Sequence, residues 1–336
     1  MDAPGISKAA AAMRKTRQAM IVAGAVLLWL APRCGAEWPF GSPSPAGAAG
    51  ASATPFAGFG DAQASEGEQD VALEEKPLSQ LSNQKFDDLG KKALSIRPEA
   101  WKHAETENFV LHYRRVTEAK KVAREVEFDI KFVAGQFGAG KDRYKGKSHV
   151  FIFEDEKEWR DFLAQTNTVP WAMSFTDVDN LFLNLRDTDD GTEGFNSDTL
   201  AHETTHAVVA RLYPGKEWPV WLNEGVAEYM AGASVAARTH QTIKRHEHAL
   251  RFASMSLDEM QKLQAYPDDP VKISQLYETG EKLIRFIMTE LPKDRFTKFI
   301  DAVLGGKSLQ DALMEVYPDK LASYDDFEKK FARFSK

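Results

Sequence analysis

The sequence is nearly without cysteine: Cys34 is the only one in 336 residues. A disulfide framework is therefore excluded. Positive charge is also in deficit, since 43 Lys and Arg stand against 50 Asp and Glu for a net charge of −7. A surface of that sign repels nucleic acid and anionic lipid, while basic partners are permitted. Long apolar runs are missing too. The run from Ala19 to Ala31 is 13 residues, short of the ~20 that span a bilayer, so no permanent membrane span is expected. No internal repeat of 20–50 residues occurs, which removes solenoids and propellers.

What is present begins with an export signature. Arg14, Lys15 and Arg17 precede the apolar run, and Cys34-Gly-Ala36 offers small residues for cleavage. Residues 1–36 read as a signal peptide, with a membrane signal-anchor as the weaker alternative. Pro32-Arg33 ahead of Cys34 fits lipid attachment poorly. Removal of residues 1–36 takes five cations and one anion with it and leaves a net charge of −11. The mature chain then has no cysteine, so an exported protein of this composition reads as bacterial, periplasmic or extracellular. Residues 37–84 are Ala-, Gly-, Pro- and Ser-rich up to about Gly60 and acidic and polar after it, and read as a flexible linker. Folded sequence is expected from about Phe86.

The next stretch, 85–195, alternates strands and helices. Strands are expected at Glu107–Arg114, Ser148–Phe153 and Asn180–Arg186, and helices at Thr117–Gln136 and Asp155–Gln165. This pattern argues a small mixed sheet covered on one face. From 196 to 336 only helices are expected: one capped by Ser197 or Asp198 and ending near Leu212 before Pro214-Gly215, then Trp218–Ala231, Thr242–Phe252, Ile273–Leu291, Arg295–Val303 and Tyr324–Phe334. The fold class is α+β, an α/β part followed by an all-helical part.

The chemistry concentrates at Leu200-Ala-His-Glu-Thr-Thr-His206. Residues four apart on a helix lie about 40° round and about 6 Å along the axis, so His202 and His206 can share one ion. Imidazoles suit Zn²⁺, and a catalytic zinc takes three protein ligands and a water. Glu203 lies about 60° from His206, beside the ion, where it can accept a proton from a metal-activated water. The apolar Ala207-Val-Val-Ala210 makes this a buried helix, in which bare histidines would be costly without partners. A third ligand must come from another element. Glu224 and Glu228 share one face of the following helix, and spacing leaves both open.

His202-Glu-Thr-Thr-His206 and, with 17 residues between His206 and it, the Glu224 of Asn223-Glu224-Gly225 within Trp-Leu-Asn-Glu-Gly-Val-Ala-Glu-Tyr resemble the gluzincin metallopeptidases, and most closely secreted bacterial proteins with a peptidase-MA-like domain. The interval is one or two residues shorter than is usual in that clan. The resemblance covers the chain from about Trp101 onward and implies a zincin-like fold for residues 85–336 together. It implies Glu224 as the third ligand of one Zn²⁺ per chain, with Glu228 hydrogen-bonding a zinc histidine. It also implies an edge strand at Leu181–Leu185 along which an extended peptide can pair, and Tyr277 as the donor to a developing oxyanion.

Tyr229 is a weaker candidate for that donor. His240, His246 and His248 sit among Lys244, Arg245 and Glu247 and read as a solvated helix face. Trp218, Trp221, Phe252 and Phe286 follow helical periodicity and read as core. The function expected is zinc-dependent hydrolysis of peptide bonds with Glu203 as general base, acting on a peptide or protein substrate. Two other readings use the same residues: a catalytically silent peptidase-like binding module of the cell envelope, and a zinc hydrolase with a non-protein substrate.

Overall fold

The computed structural model describes residues 71–166, 168–169, 172–187, 193–194, 196–241 and 254–335. The signal peptide, the linker before residue 71, the helix expected at Thr242–Phe252, His246, His248 and Phe252 lie outside the described residues. The fold is mixed α+β, with a six-stranded sheet in the order β1-β2-β3-β4-β6-β5. Its strands are β1 Glu74–Glu75, β2 Lys102–Glu105, β3 Phe109–Tyr113, β4 Ser148–Phe153, β5 Ser174–Asp177 and β6 Asn180–Asn184. A short pair, β7 Arg186–Asp187 and β8 Glu193–Gly194, follows it. The pairs β3–β4 and β4–β6 are parallel, and the remaining neighbours in the main sheet are antiparallel.

Three features differ from the expectation. First, order begins ahead of Phe86. Glu74 and Glu75 pair with Glu105 and Ala104, and the buried Glu105 carboxylate accepts from Ser82 N and from the ammonium groups of Lys76 and Lys147. These bonds tie a polar segment that composition alone reads as free chain.

Second, the sheet is covered on both faces. All six residues of β4 are buried. Val150 and Ile152 join Val122, Val126, Ile130 and Val133 of helix α2, Val116–Gln136. Phe151 and Phe153 join Leu89 and Ala93 of helix α1, Asp88–Ser95, and Trp159 and Phe162 of helix α3, Glu156–Leu163. Apolar side chains in both phases of a strand are the mark of one sandwiched between layers.

Third, β6 is interior, held by β4 on one side and β5 on the other. The edge is β5, which Ser-Phe-Thr-Asp conceals because it carries a single apolar residue. It reaches β6 through a turn in which the exposed Val178 takes φ 55°.

The helical part comprises α4 Ser197–Leu212, α5 Val220–Thr239, α6 Leu257–Gln261, α7 Pro270–Glu290, α8 Phe296–Leu304, α9 Leu309–Val316 and α10 Tyr324–Phe334. The N-cap of α4 is Asn196, one residue ahead of Ser197 and two ahead of Asp198, the expected caps, and its side chain accepts from Asp198 N and Thr199 N. One hydrophobic cluster runs from Ala104 on the sheet to Phe327 on α10, so both halves share a core; Trp221 and Phe286 belong to it and Trp218 packs against it.

Helix α5 crosses α7 where Gly225 meets Gly280. A Cβ on Gly225 would stand 2.6 Å from the Gly280 carbonyl oxygen. In an unconstrained helix Gly→Ala stabilises by about 1 kcal/mol, but here the added carbon meets rigid backbone. Gly225→Ala is expected to destabilise by about 1–3 kcal/mol, the usual cost of overpacking, read from urea midpoints. Equal or higher stability would show that the crossing has room.

Between α2 and α5 lies Asp129, fully buried, with Ser234 Oγ donating to Oδ1 at 2.5 Å. Burial pushes its carboxyl up to about 7 against the opposing pull of Ser234 and Arg238. Its protonated form is therefore the one the fold favours. The stability it contributes is complete below the ordinary Asp range and is lost as pH rises through about 7. Asp129→Asn is expected to gain on the parent by up to about 1.4 kcal/mol per pH unit across that window. Parallel pH dependence of the two unfolding midpoints would contradict this.

Candidate metal centre

Helix α4 places His202 and His206 one turn apart, both facing α5, and α5 presents Asn223, Glu224 and Glu228 to them. His202 is 3% exposed, Glu203 and Glu224 0%. The His202 Nε2 to His206 Nε2 distance is 3.0 Å, and Glu224 Oε2 stands 3.3 Å from the first and 3.6 Å from the second. On their other side, His202 Nδ1 lies 3.2 Å from Glu228 Oε1 and His206 Nδ1 lies 3.2 Å from Asn223 Oδ1. Oxygen acceptors at both Nδ1 atoms set the proton there.

That assignment leaves two nitrogen lone pairs and one carboxylate oxygen pointing at a common place. Glu224 Oε2 is buried and without a hydrogen-bond donor among the described residues. Three such acceptors repel one another unless a cation lies between them. A tetrahedral ion with donor distances of about 2.0–2.1 Å has donor–donor edges of about 3.3–3.4 Å, close to the separations seen. His202, His206 and Glu224 form a group that could hold a metal ion, and no other such group occurs among the described residues. The local field is negative enough to draw in a cation, which without a metal is a proton on His202. Burial opposes a charge on His202, but Glu224 and Glu228 outweigh it and hold its pKa well above that of free imidazole. Burial likewise opposes charge on Glu224, and His206 and His202 outweigh it, keeping the carboxyl below its usual range.

Glu203 projects from the same helix toward β5. Ser174 Oγ donates to its Oε1 at 3.0 Å and Thr176 Oγ1 to its Oε2 at 2.8 Å; the Thr176 hydroxyl also reaches the Glu203 carbonyl at 3.0 Å. The edge strand therefore fixes the carboxylate's orientation. Neither hydroxyl is anticipated by the sequence, where the only sign is the alternation of Ser174 and Thr176 about Phe175.

Two tyrosines flank the centre. Tyr277 of α7 meets His202 edge-on at 6.1 Å between ring centroids. Its buried hydroxyl has no hydrogen-bond partner among the described residues. Burial, and after it the charges of Glu224, Glu228 and Glu203, raise the Tyr277 phenol's pKa well above its ordinary value, so the hydroxyl keeps its proton. Tyr266, between α6 and α7, donates its hydroxyl to Glu224 Oε1. The sequence reading passes over Tyr266, since Ala265-Tyr-Pro267 carries no periodicity or motif. Tyr229 is raised to about 12 by burial, and its charged neighbours are Arg285 and Glu281. His240 closes α5 as an exposed left-handed cap at φ 53°.

A second histidine group is a different kind of structure. His103, His112 and His149 sit on β2, β3 and β4, joined end to end by Nδ1···Nδ1 and Nε2···Nδ1 contacts of 2.8 and 2.9 Å. His112 uses one nitrogen for each neighbour, so the three donors do not converge on one ion. Burial depresses all three, His149 to about 4. A cavity of about 730 Å³ at Arg295, Lys298, Lys307 and Glu315 shares no residue with His202, His206 and Glu224. Two of its cations are already paired, Arg295 with Asp319 and Lys307 with Glu315.

No protein-family model matches the chain and no curated protein matches it significantly in sequence, so the functional reading rests on the geometry of this centre.

Proposed function

We propose that the chain is an exported zinc-dependent metallopeptidase of gluzincin type with a zincin-like fold. The observation that carries this reading is the convergence of His202 Nε2, His206 Nε2 and Glu224 Oε2 on one point, with Glu203 fixed on the same helix. Two imidazoles and a carboxylate are a donor set of catalytic zinc. His202, His206 and Glu224 would hold the zinc, which would acidify a water towards a pKa of about 7 and polarise the scissile carbonyl.

The chain's own groups do the rest. Glu203 takes the proton of the attacking water and passes it to the leaving amine. The hydroxyls of Ser174 and Thr176 each occupy one lone pair per oxygen of Glu203, keeping the carboxylate from swinging away. Glu228 and Asn223 hold the two imidazoles as Nδ1–H tautomers. The Tyr277 hydroxyl, with no partner among the described residues, donates to the oxyanion that develops on the carbonyl. Among the described residues strand β5 pairs with β6 alone, and its other edge suits an extended peptide, which makes a peptide or protein the substrate. Expectation places the protein in the periplasm or outside the cell; among the described residues no helix is long and apolar enough to cross a membrane.

A second reading, a silent peptidase-like module that binds without cleaving, draws on one observation: both oxygens of Glu203 are already bonded. Digestion of a peptide library by the zinc-loaded chain, with Glu203→Gln as control, separates the two. Cleavage that the control lacks supports the peptidase. Equal patterns from both proteins would remove Glu203 as base, and no cleavage by either would favour the silent module.

A further inference from the structure

Glu224 uses its two oxygens differently. Oε2 faces the two imidazole nitrogens and has no hydrogen-bond donor among the described residues, whereas Oε1 accepts the hydroxyl of Tyr266. The donor does not come from α5 or α7, whose packing sets where Glu224 stands. It comes from the connection between α6 and α7, where Tyr266 is half-buried and followed by Pro267. Asn223 Nδ2 also approaches Oε1, at 3.5 Å, the outer limit of a hydrogen bond. Tyr266 is therefore the strong partner of this oxygen.

A carboxylate can hold a cation through one oxygen or through both. With two imidazoles already committed, two-oxygen binding by Glu224 would fill a position that water and substrate need. A hydrogen bond to Oε1 ties that oxygen's density to the phenol and makes the one-oxygen mode the favoured one. We propose that Tyr266 is a positioning residue that restricts Glu224 to a single-oxygen ligand and so keeps the metal's coordination open. The inference rests on the metal centre described above. The role proposed for Tyr266 is exerted through Glu224, the one group its hydroxyl is seen to bond.

The test uses the full mature chain and Tyr266→Phe, each loaded with Co²⁺ for visible absorption and titrated with Zn²⁺ against a chromophoric chelator. Phe keeps the ring and removes only the hydroxyl, and matched thermal unfolding of the two metal-free proteins checks the fold. The expected result for Tyr266→Phe is a weaker, shifted cobalt ligand-field band, as higher coordination number produces, with zinc affinity lower by about 10–100-fold, the usual loss when an outer partner of a ligand is removed. The band is the deciding readout, because general loosening of the fold would lower affinity without changing coordination number. A cobalt spectrum superimposable on the parent's overturns the proposal, whether or not affinity falls. Failure of the parent itself to bind either metal overturns the metal centre and this inference with it.

Discussion

Glu203→Gln is expected to lower peptide cleavage by about 10²–10⁴-fold, the range a positioned general base contributes, while still binding one zinc per chain. The substitution keeps size and shape. Its amide can still accept from one of the two hydroxyls, Ser174 or Thr176, that now meet both oxygens of the buried carboxylate. What it loses is the capacity to take a proton. The group that could hold a metal is His202, His206 and Glu224, without Glu203, so metal content is not expected to change. Loss of zinc together with activity would mean that Glu203 supports the metal rather than the chemistry. Turnover within a few-fold of the parent would assign the base elsewhere.

The second large effect separates the two glutamates of α5. Glu224→Ala removes the oxygen that faces both Nε2 atoms at 3.3 and 3.6 Å, leaving two imidazoles for the ion. Zinc should be lost during ordinary purification. Glu228→Ala removes the acceptor at His202 Nδ1, 3.2 Å away, and is expected to weaken zinc by about 10–100-fold while leaving it measurable. Competition titrations with a chelator of known affinity read both. The reverse ranking, Glu228→Ala the weaker binder, would make Glu228 the ligand and Glu224 its support.

Much of this centre is legible in the sequence because it depends on helical periodicity. His202 and His206 had to share a face, and Glu203 had to lie beside them. The α2 and β4 boundaries follow from local pattern in the same way, the structure giving Val116–Gln136 and Ser148–Phe153. Glu224 and Glu228 share a face at any helix packing, so spacing leaves them equivalent and only the Asn-Glu-Gly resemblance distinguishes them. The structure sets them apart by distance, one against Nε2 atoms and the other against Nδ1.

What stays hidden are contacts that depend on which strand lies next to which. Ser174 and Thr176 meet Glu203 only because β5 pairs outside β6 and lies over α4. The histidine row needs three strands in register, with His103 opposite His112. Tyr266 reaches Glu224 across 42 residues of chain. The second covered face of the sheet was visible in principle, since Val150 and Ile152 alternate with Phe151 and Phe153, yet a short apolar run reads equally well as half-buried.

The most direct test is the metal content of residues 37–336, purified without added metal and measured by elemental analysis beside a variant carrying His202→Ala, His206→Ala and Glu224→Ala. The predicted result is close to one zinc per parent chain and none in the variant, with a far-UV spectrum showing both folded. A parent chain free of metal that also fails to take up Zn²⁺ on titration, or a triple variant that retains it, would contradict the account.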